Sequence, residues 1–171
     1  MRQEKKQNIR WNTMQILALG FLGVILTGAV LLWMPVCNEK PISFLDALFT
    51  STTSVCVTGL VTIVPKYQFT IVGKVVLLLL IQIGGLGIIA CVTAFFMLMR
   101  RKITLKERIV IQETYNMDSL GGLVRMVRKI LLGTLVVEGM GAVLYVIQFV
   151  PEFGLLKGIW YGIFHSISAF C

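Results

Sequence analysis

The sequence predicts an all-α integral membrane protein in which a helix, a short re-entrant helix with its loop, and a second helix make one unit, with a second such unit left incomplete. Three observations carry this. The chain is 57% hydrophobic and only 14% charged over 171 residues, with a mean hydropathy of +0.86, whereas soluble domains are about 45–50% apolar. Three apolar runs, 14–34, 75–99 and 130–150, reach the roughly 20 helical residues that cross a hydrocarbon core of about 30 Å. The hydroxyl-rich stretch FTSTTSVCVTGL at 49–60 recurs in weaker form 115 positions later, setting Leu48, Phe49, Ser51, Thr53 and Cys56 opposite Ile163, Phe164, Ser166, Ser168 and Cys171, with Thr50 opposite His165. The same offset lays the run 14–34 over 129–149.

The tail 1–13 carries Arg2, Lys5, Lys6 and Arg10 ahead of the first run, the pattern of a signal peptide. A signal core is only about 7–15 residues and needs a small-residue cleavage site, and none follows Trp33-Met34-Pro35, so 14–34 is read as a retained helix. Of 16 Lys and Arg, four lie in 1–13 and eight in 100–129, while the other connections hold Lys40, Lys66, Lys74 and Lys157. The positive-inside bias puts the N-terminus and the 100–129 linker in the cytoplasm of a multi-pass plasma-membrane protein. The net charge of +8 therefore follows the membrane and implies no nucleic-acid partner.

Pro41 can open a short helix over 42–54, about 20 Å long and too short to cross. The chain must then return outward through 55–60, because the next helix, 70–99, leads to the basic linker. The consistent path is a re-entrant hairpin, and non-helical backbone at membrane depth is tolerated only packed in protein or lining a watery cavity. A surface loop outside the bilayer is the alternative, and it explains the hydroxyl run poorly. The string Gln82-Ile83-Gly84-Gly85-Leu86-Gly87 lies in mid-helix, far from any strand, so it reads as small residues allowing close helix approach rather than as a phosphate cradle. Twenty-five uninterrupted residues over 75–99 predict one helix of about 37 Å that tilts or protrudes.

Residues 100–129 predict an amphipathic cytoplasmic helix or hairpin broken at Gly121-Gly122, either an anchor on anionic lipid headgroups or a docking surface for a cytosolic partner. Glu138 is the one carboxylate inside the third run, 130–150, so it needs a specific partner or a functional role, and a hydrogen bond within the bundle competes there with ion binding. After Pro151, 155–170 repeats the short helix, with His165 read as a packed polar residue. The four cysteines show no disulfide or metal spacing and read as single buried thiols. With one histidine and no nucleophile beside a base, catalysis is poorly supported.

The segment Cys56-Val57-Thr58-Gly59 suits a cation. Backbone carbonyls in series replace lost hydration without fixed net charge, Gly59 takes backbone angles that other residues avoid, and the end of the preceding helix carries roughly half a negative charge.

The DALFTSTTSVCVTGL stretch, the QIGGLG helix, the basic linker and FHSISAFC together resemble the Trk/Ktr/HKT superfamily of potassium uptake proteins, over nearly the whole chain. The resemblance implies four helix, pore-helix, helix units in one polypeptide around a central filter, with potassium as substrate and no cofactor. Mapped residue by residue, the first filter is Cys56, Val57, Thr58 and Gly59, and Cys171 opens the second. A serine at the first filter glycine accompanies sodium transport in plant-type relatives, so Gly59 looks like the potassium form. The linker and short tail look closer to the Ktr branch, which implies a homodimer of the full-length protein resting on a cytosolic nucleotide-binding ring near 100–129. One and a half units cannot close a fourfold filter, so the expectation is an N-terminal fragment that does not conduct alone. A membrane scaffold or assembly subunit stays open as an alternative, and a membrane-embedded enzyme as a third.

Overall fold

The computed structural model describes residues 13–88, 90, 91, 93 and 123–170, and these are helices joined by short turns. In chain order they are α1 (Thr13–Trp33), a 3-10 turn (Pro35–Cys37), α2 (Phe44–Val55), α3 (Pro65–Gln68), α4 (Ile71–Leu86), α5 (Leu123–Phe153) and α6 (Leu155–Phe170). Among the described residues there is no named strand, and the fold is all-α.

The 21 residues of α1 extend about 31 Å. At its end Asn38 Nδ2 donates to the orphan carbonyl of Leu32 at 2.5 Å and to Met34 O, just past the helix, at 3.0 Å. The opening of α2 departs from expectation, since Pro41 lies outside it and Ser43 is the cap. Ser43 Oγ accepts from the Asp46 N–H at 3.1 Å and donates to Asp46 Oδ2 at 2.7 Å. Ser43 thus caps the helix through its hydroxyl and orients the Asp46 carboxylate where the helix dipole favours it.

The chain leaves and returns to α2 at one level. The Glu39 N–H donates to Gln68 O at 2.8 Å and the Thr70 N–H to Cys37 O at 3.0 Å, while Thr70 Oγ1 donates to Val36 O at 2.8 Å. Residues 36–40 and 67–70 thus lie side by side, and everything between them is one closed excursion. Thr70 then caps α4, its Oγ1 accepting from the Gly73 N–H at 3.2 Å.

Two long-helix expectations are corrected. The helix placed over 70–99 is broken, because α4 stops at Leu86 and Gly87 takes φ +80° before helical backbone resumes at 88. Hydropathy does not register a backbone break inside an apolar run, and only glycine adopts that φ without strain. The helix placed at 130–150 is longer, since α5 begins at Leu123, takes in the last residues assigned to the linker, and carries Pro151 inside its final turn. Among the described residues Arg125–Phe153 is the one helix that by length and composition alone suffices to cross a membrane, and its apolar window is entirely unburied. The rest of the linker, 100–122, lies outside the described residues.

At Gly154, φ +81° reverses the chain, so α6 folds straight back onto α5. Gly158 and Gly162 let the two helices touch: a methyl on Gly158 would lie 2.7 Å from Val150 Cα, and one on Gly162 2.9 Å from Val146 N. The core is Leu32, Ala47, Val55, Phe69, Leu77 and Leu80, and Phe164 of α6 packs against it. Outside it, Leu22, Leu26 and Val30 of α1 and Leu135, Met140 and Leu144 of α5 are exposed. A surface this apolar is stable in lipid rather than in water.

Candidate functional site

The hydroxyl run of α2 is largely buried, and Ser51, Thr52, Thr53 and Ser54 bond their hydroxyls. Ser51 Oγ donates to Ile25 O of α1 at 2.7 Å, Thr52 Oγ1 to Leu48 O at 2.7 Å and Ser54 Oγ to Thr50 O at 2.7 Å. The run therefore lets a polar helix be buried without orphaned groups. It leaves the loop that follows to present backbone.

That loop, 56–60, is exposed in this chain. Cys56 is the C-cap of α2, Val57 has φ +55° and Gly59 has φ +71°. The Thr58 N–H reaches back to Thr53 O at 3.0 Å, the six-to-one bond of a Schellman ending. Glycine usually fills the position taken here by Val57, and a β-branched residue with positive φ is a genuine outlier. Thr53 also holds the far side of the loop, its Oγ1 accepting from the Leu60 N–H at 2.9 Å and sharing a hydrogen bond with Thr58 Oγ1 at 2.5 Å. Thr53 and Thr58 thus tie the loop to its helix, a role that reading Cys56–Gly59 as a bare row of carbonyls misses. Behind the loop, Gly84 of α4 packs directly on the main chain that ends α2, so that a methyl there would overlap Val55 O and lie 2.9 Å from Ser54 O. This is the close approach expected of QIGGLG.

A cleft of about 160 Å³ runs under the loop, lined by Thr50, Thr53, Gly59, Ile81, Phe164 and Ser168 among others. It brings residues from both hydroxyl stretches to one place. Cys171 and the basic segment 100–122 lie outside the described residues.

The two short helices seat on the two long ones in like manner, but in a register the single offset of 115 does not capture. Ser51 Oγ donates to Ile25 O at 2.7 Å and Ser166 Oγ to Glu138 O at 2.6 Å. A methyl on Gly28 would lie 2.5 Å from Ser51 Oγ, and one on Gly141 2.6 Å from Ser166 Oγ. Ser51 and Ser166 are 115 apart, whereas Ile25 and Glu138, like Gly28 and Gly141, are 113 apart. The signal was present in the sequence as Gly-Ala-Val-Leu at 28–31 and again at 141–144.

Glu138 finds its partner in the bundle: Gln82 Nε2 of α4 donates to its Oε1. His165 sits on an exposed position of α6 with Nδ1 2.9 Å from Tyr161 O and its ring 5.1 Å from Phe149. The expectation of single buried thiols holds for Cys37 and fails for Cys56, which is exposed. Burial pushes the Cys37 thiol above its usual range.

Comparison with known proteins supplies the family. A family described as cation transport protein, TrkH, matches residues 1–171. The Ktr system potassium uptake protein B of Bacillus subtilis is 40% identical over 162 residues, covering 95% of this chain and 36% of that protein. The potassium/sodium uptake protein NtpJ of Enterococcus hirae is 39% identical over 170 residues, covering 98% of this chain and 38% of that protein. The Ktr system potassium uptake protein B of Vibrio alginolyticus is 37% identical over 166 residues, covering 97% and 36%. The chain spans a little over a third of the length of these relatives. With a family match along its entire length and an all-α fold whose apolar faces are exposed, the chain belongs to the TrkH family of membrane cation transport proteins.

Proposed function

We propose that these residues form the first one and a half pore units of a potassium uptake protein, in which the carbonyls of Cys56, Val57, Thr58 and Gly59 replace the water around a dehydrated potassium ion. The observation that carries this is the loop's backbone: Val57 and Gly59 both take positive φ, at the end of a largely buried helix in which Ser51, Thr52, Thr53 and Ser54 all bond their hydroxyls. Carbonyls supply oxygen ligands without fixed net charge, and the C-terminal end of α2 adds a favourable dipole for cations.

The closed excursion between 36–40 and 67–70 supports a re-entrant hairpin, and the matching seats of Ser51 and Ser166 support two units of one design. One and a half units of four is close to the 36–38% of the relatives' length that the chain spans. On this reading Cys171 opens the second filter, the 171 residues alone do not conduct, and the full-length protein is a multi-pass plasma-membrane protein with a cytoplasmic N-terminus. Relatives named as parts of a Ktr system support partnering with further components, and we take these to be a second copy of the full-length protein and a cytosolic nucleotide-binding ring against 100–129, with lipid around the rest.

The test is complementation by the full-length gene in a strain deficient in potassium uptake. The expected result is growth at low potassium, with Gly59→Ser lowering potassium over sodium preference. Equal growth and equal preference for Gly59→Ser would sink the filter assignment.

A further inference from the structure

Glu138 sits near the middle of the long apolar span Arg125–Phe153, roughly 20 Å from either end. A carboxylate at such a depth persists where a specific partner holds it. Here the partner is the amide of Gln82, Nε2 donating to Glu138 Oε1, while the main-chain oxygen of the same residue accepts from Ser166 Oγ at 2.6 Å. Glu138 is thus the point at which α4, α5 and α6 meet.

Gln82 and Gly84 are two residues apart on α4, about 200° around the helix, so they face different neighbours. One faces α5, and the other presses on the carbonyls of Ser54 and Val55 that immediately precede the loop. We propose that Glu138 is a positioning residue for the filter: its bond to Gln82 holds α4 so that Gly84 backs the end of α2, and the second unit thereby sets the geometry of the first unit's carbonyls. The inference rests on the transport reading above. It differs from ion binding at Glu138, because what it requires is an acceptor at that position rather than a charge in the ion path.

The experiment uses the full-length protein reconstituted in liposomes, with potassium and sodium uptake measured for each variant and protein amount and monodispersity checked in detergent. Gly59→Ser serves as the filter control. Glu138→Gln keeps an acceptor for the Gln82 amide and is expected to stay within about twofold of the unaltered protein in potassium over sodium preference. Gln82→Leu and Glu138→Leu each remove the bond and are expected to lower that preference about fivefold or more, the double variant falling no further than either alone, as coupled partners do. The swap Gln82→Glu with Glu138→Gln reverses the donor and is expected to restore preference toward the original, which a merely structural loss would not do.

If Gly59→Ser lowers preference while Gln82→Leu and Glu138→Leu do not, the positioning role is wrong and the filter stands. If Glu138→Gln abolishes uptake, the charge itself is needed and the positioning role is likewise overturned. If Gly59→Ser changes nothing, both readings fall. Should the leucine variants not accumulate, the glutamine variant and the swap alone decide: a swap that accumulates without restored preference overturns the proposal.

Discussion

Replacing Gly84 by alanine puts a methyl group where α4 meets the end of α2. Built on this backbone, that carbon overlaps Val55 O and lies 2.9 Å from both Ser54 O and Val55 C. Comfortable carbon–oxygen contacts begin near 3.3 Å, so the helices must separate by roughly 0.5–1 Å. The atoms it meets are main chain at a capped helix end, which cannot swing aside as a flexible side chain would. Overpacking of this kind costs about 1–3 kcal/mol, reduced by up to about 1 kcal/mol because alanine is the better helix former. The separation opens directly behind Cys56, so potassium over sodium preference is expected to fall together with stability. The assay is denaturation of the full-length protein in detergent alongside uptake of both cations in liposomes. Gly133→Ala is the control, since no atom lies within 4 Å of a methyl there, and it should be neutral or stabilising by up to about 1 kcal/mol. If Gly84→Ala behaves like Gly133→Ala in both measurements, the argument that α4 buttresses the loop is wrong.

Gly28→Ala should destabilise by about 1–3 kcal/mol by displacing Ser51 Oγ, and adding Ser51→Ala should recover part of the loss, so a double-mutant cycle that is strictly additive would refute the contact. Gly59→Ala meets no neighbour within 4 Å yet sits at φ +71°, so a loss of about 1–2 kcal/mol is expected from backbone strain alone, checked by the same denaturation. Cys37 is 4% exposed and its thiol is shifted upward, so at pH 8.5 maleimide should label it at least about tenfold more slowly than a cysteine introduced at the exposed Glu39. Its folded pKa lies above its unfolded value, so its contribution to stability is complete below about pH 8.5 and is lost as pH rises through the folded value. Membrane-impermeant reagents applied from outside intact cells should reach Glu39→Cys and miss Arg108→Cys, and the reverse pattern would invert the orientation.

Much was legible in the chain itself because it depends on local chemistry. Apolar length and hydroxyl clustering give the long helices and the short ones, since desolvation acts residue by residue along the chain. The Gly158, Gly162 and Ser166 spacing of four already marks one face of α6 as the face that touches a neighbour. The small residues of QIGGLG do the same for α4, and Glu138 is conspicuous simply because ionised groups are rare in apolar runs.

What tertiary structure decided is register and backbone hand. Hydropathy is blind to φ, so it could not show that Gly87 breaks α4 or that Val57, a residue disfavoured there, takes the left-handed turn ahead of Gly59. Gly-Ala-Val-Leu at 28–31 and 141–144 carries the offset of 113 between the long helices, but no offset shows which carbonyl Ser166 reaches, because that depends on how α6 folds back at Gly154. Nor could it pair Gln82 with Glu138, 56 residues away. Such partners are selected by which helix faces are brought together, and that is a property of packing rather than of any stretch of sequence.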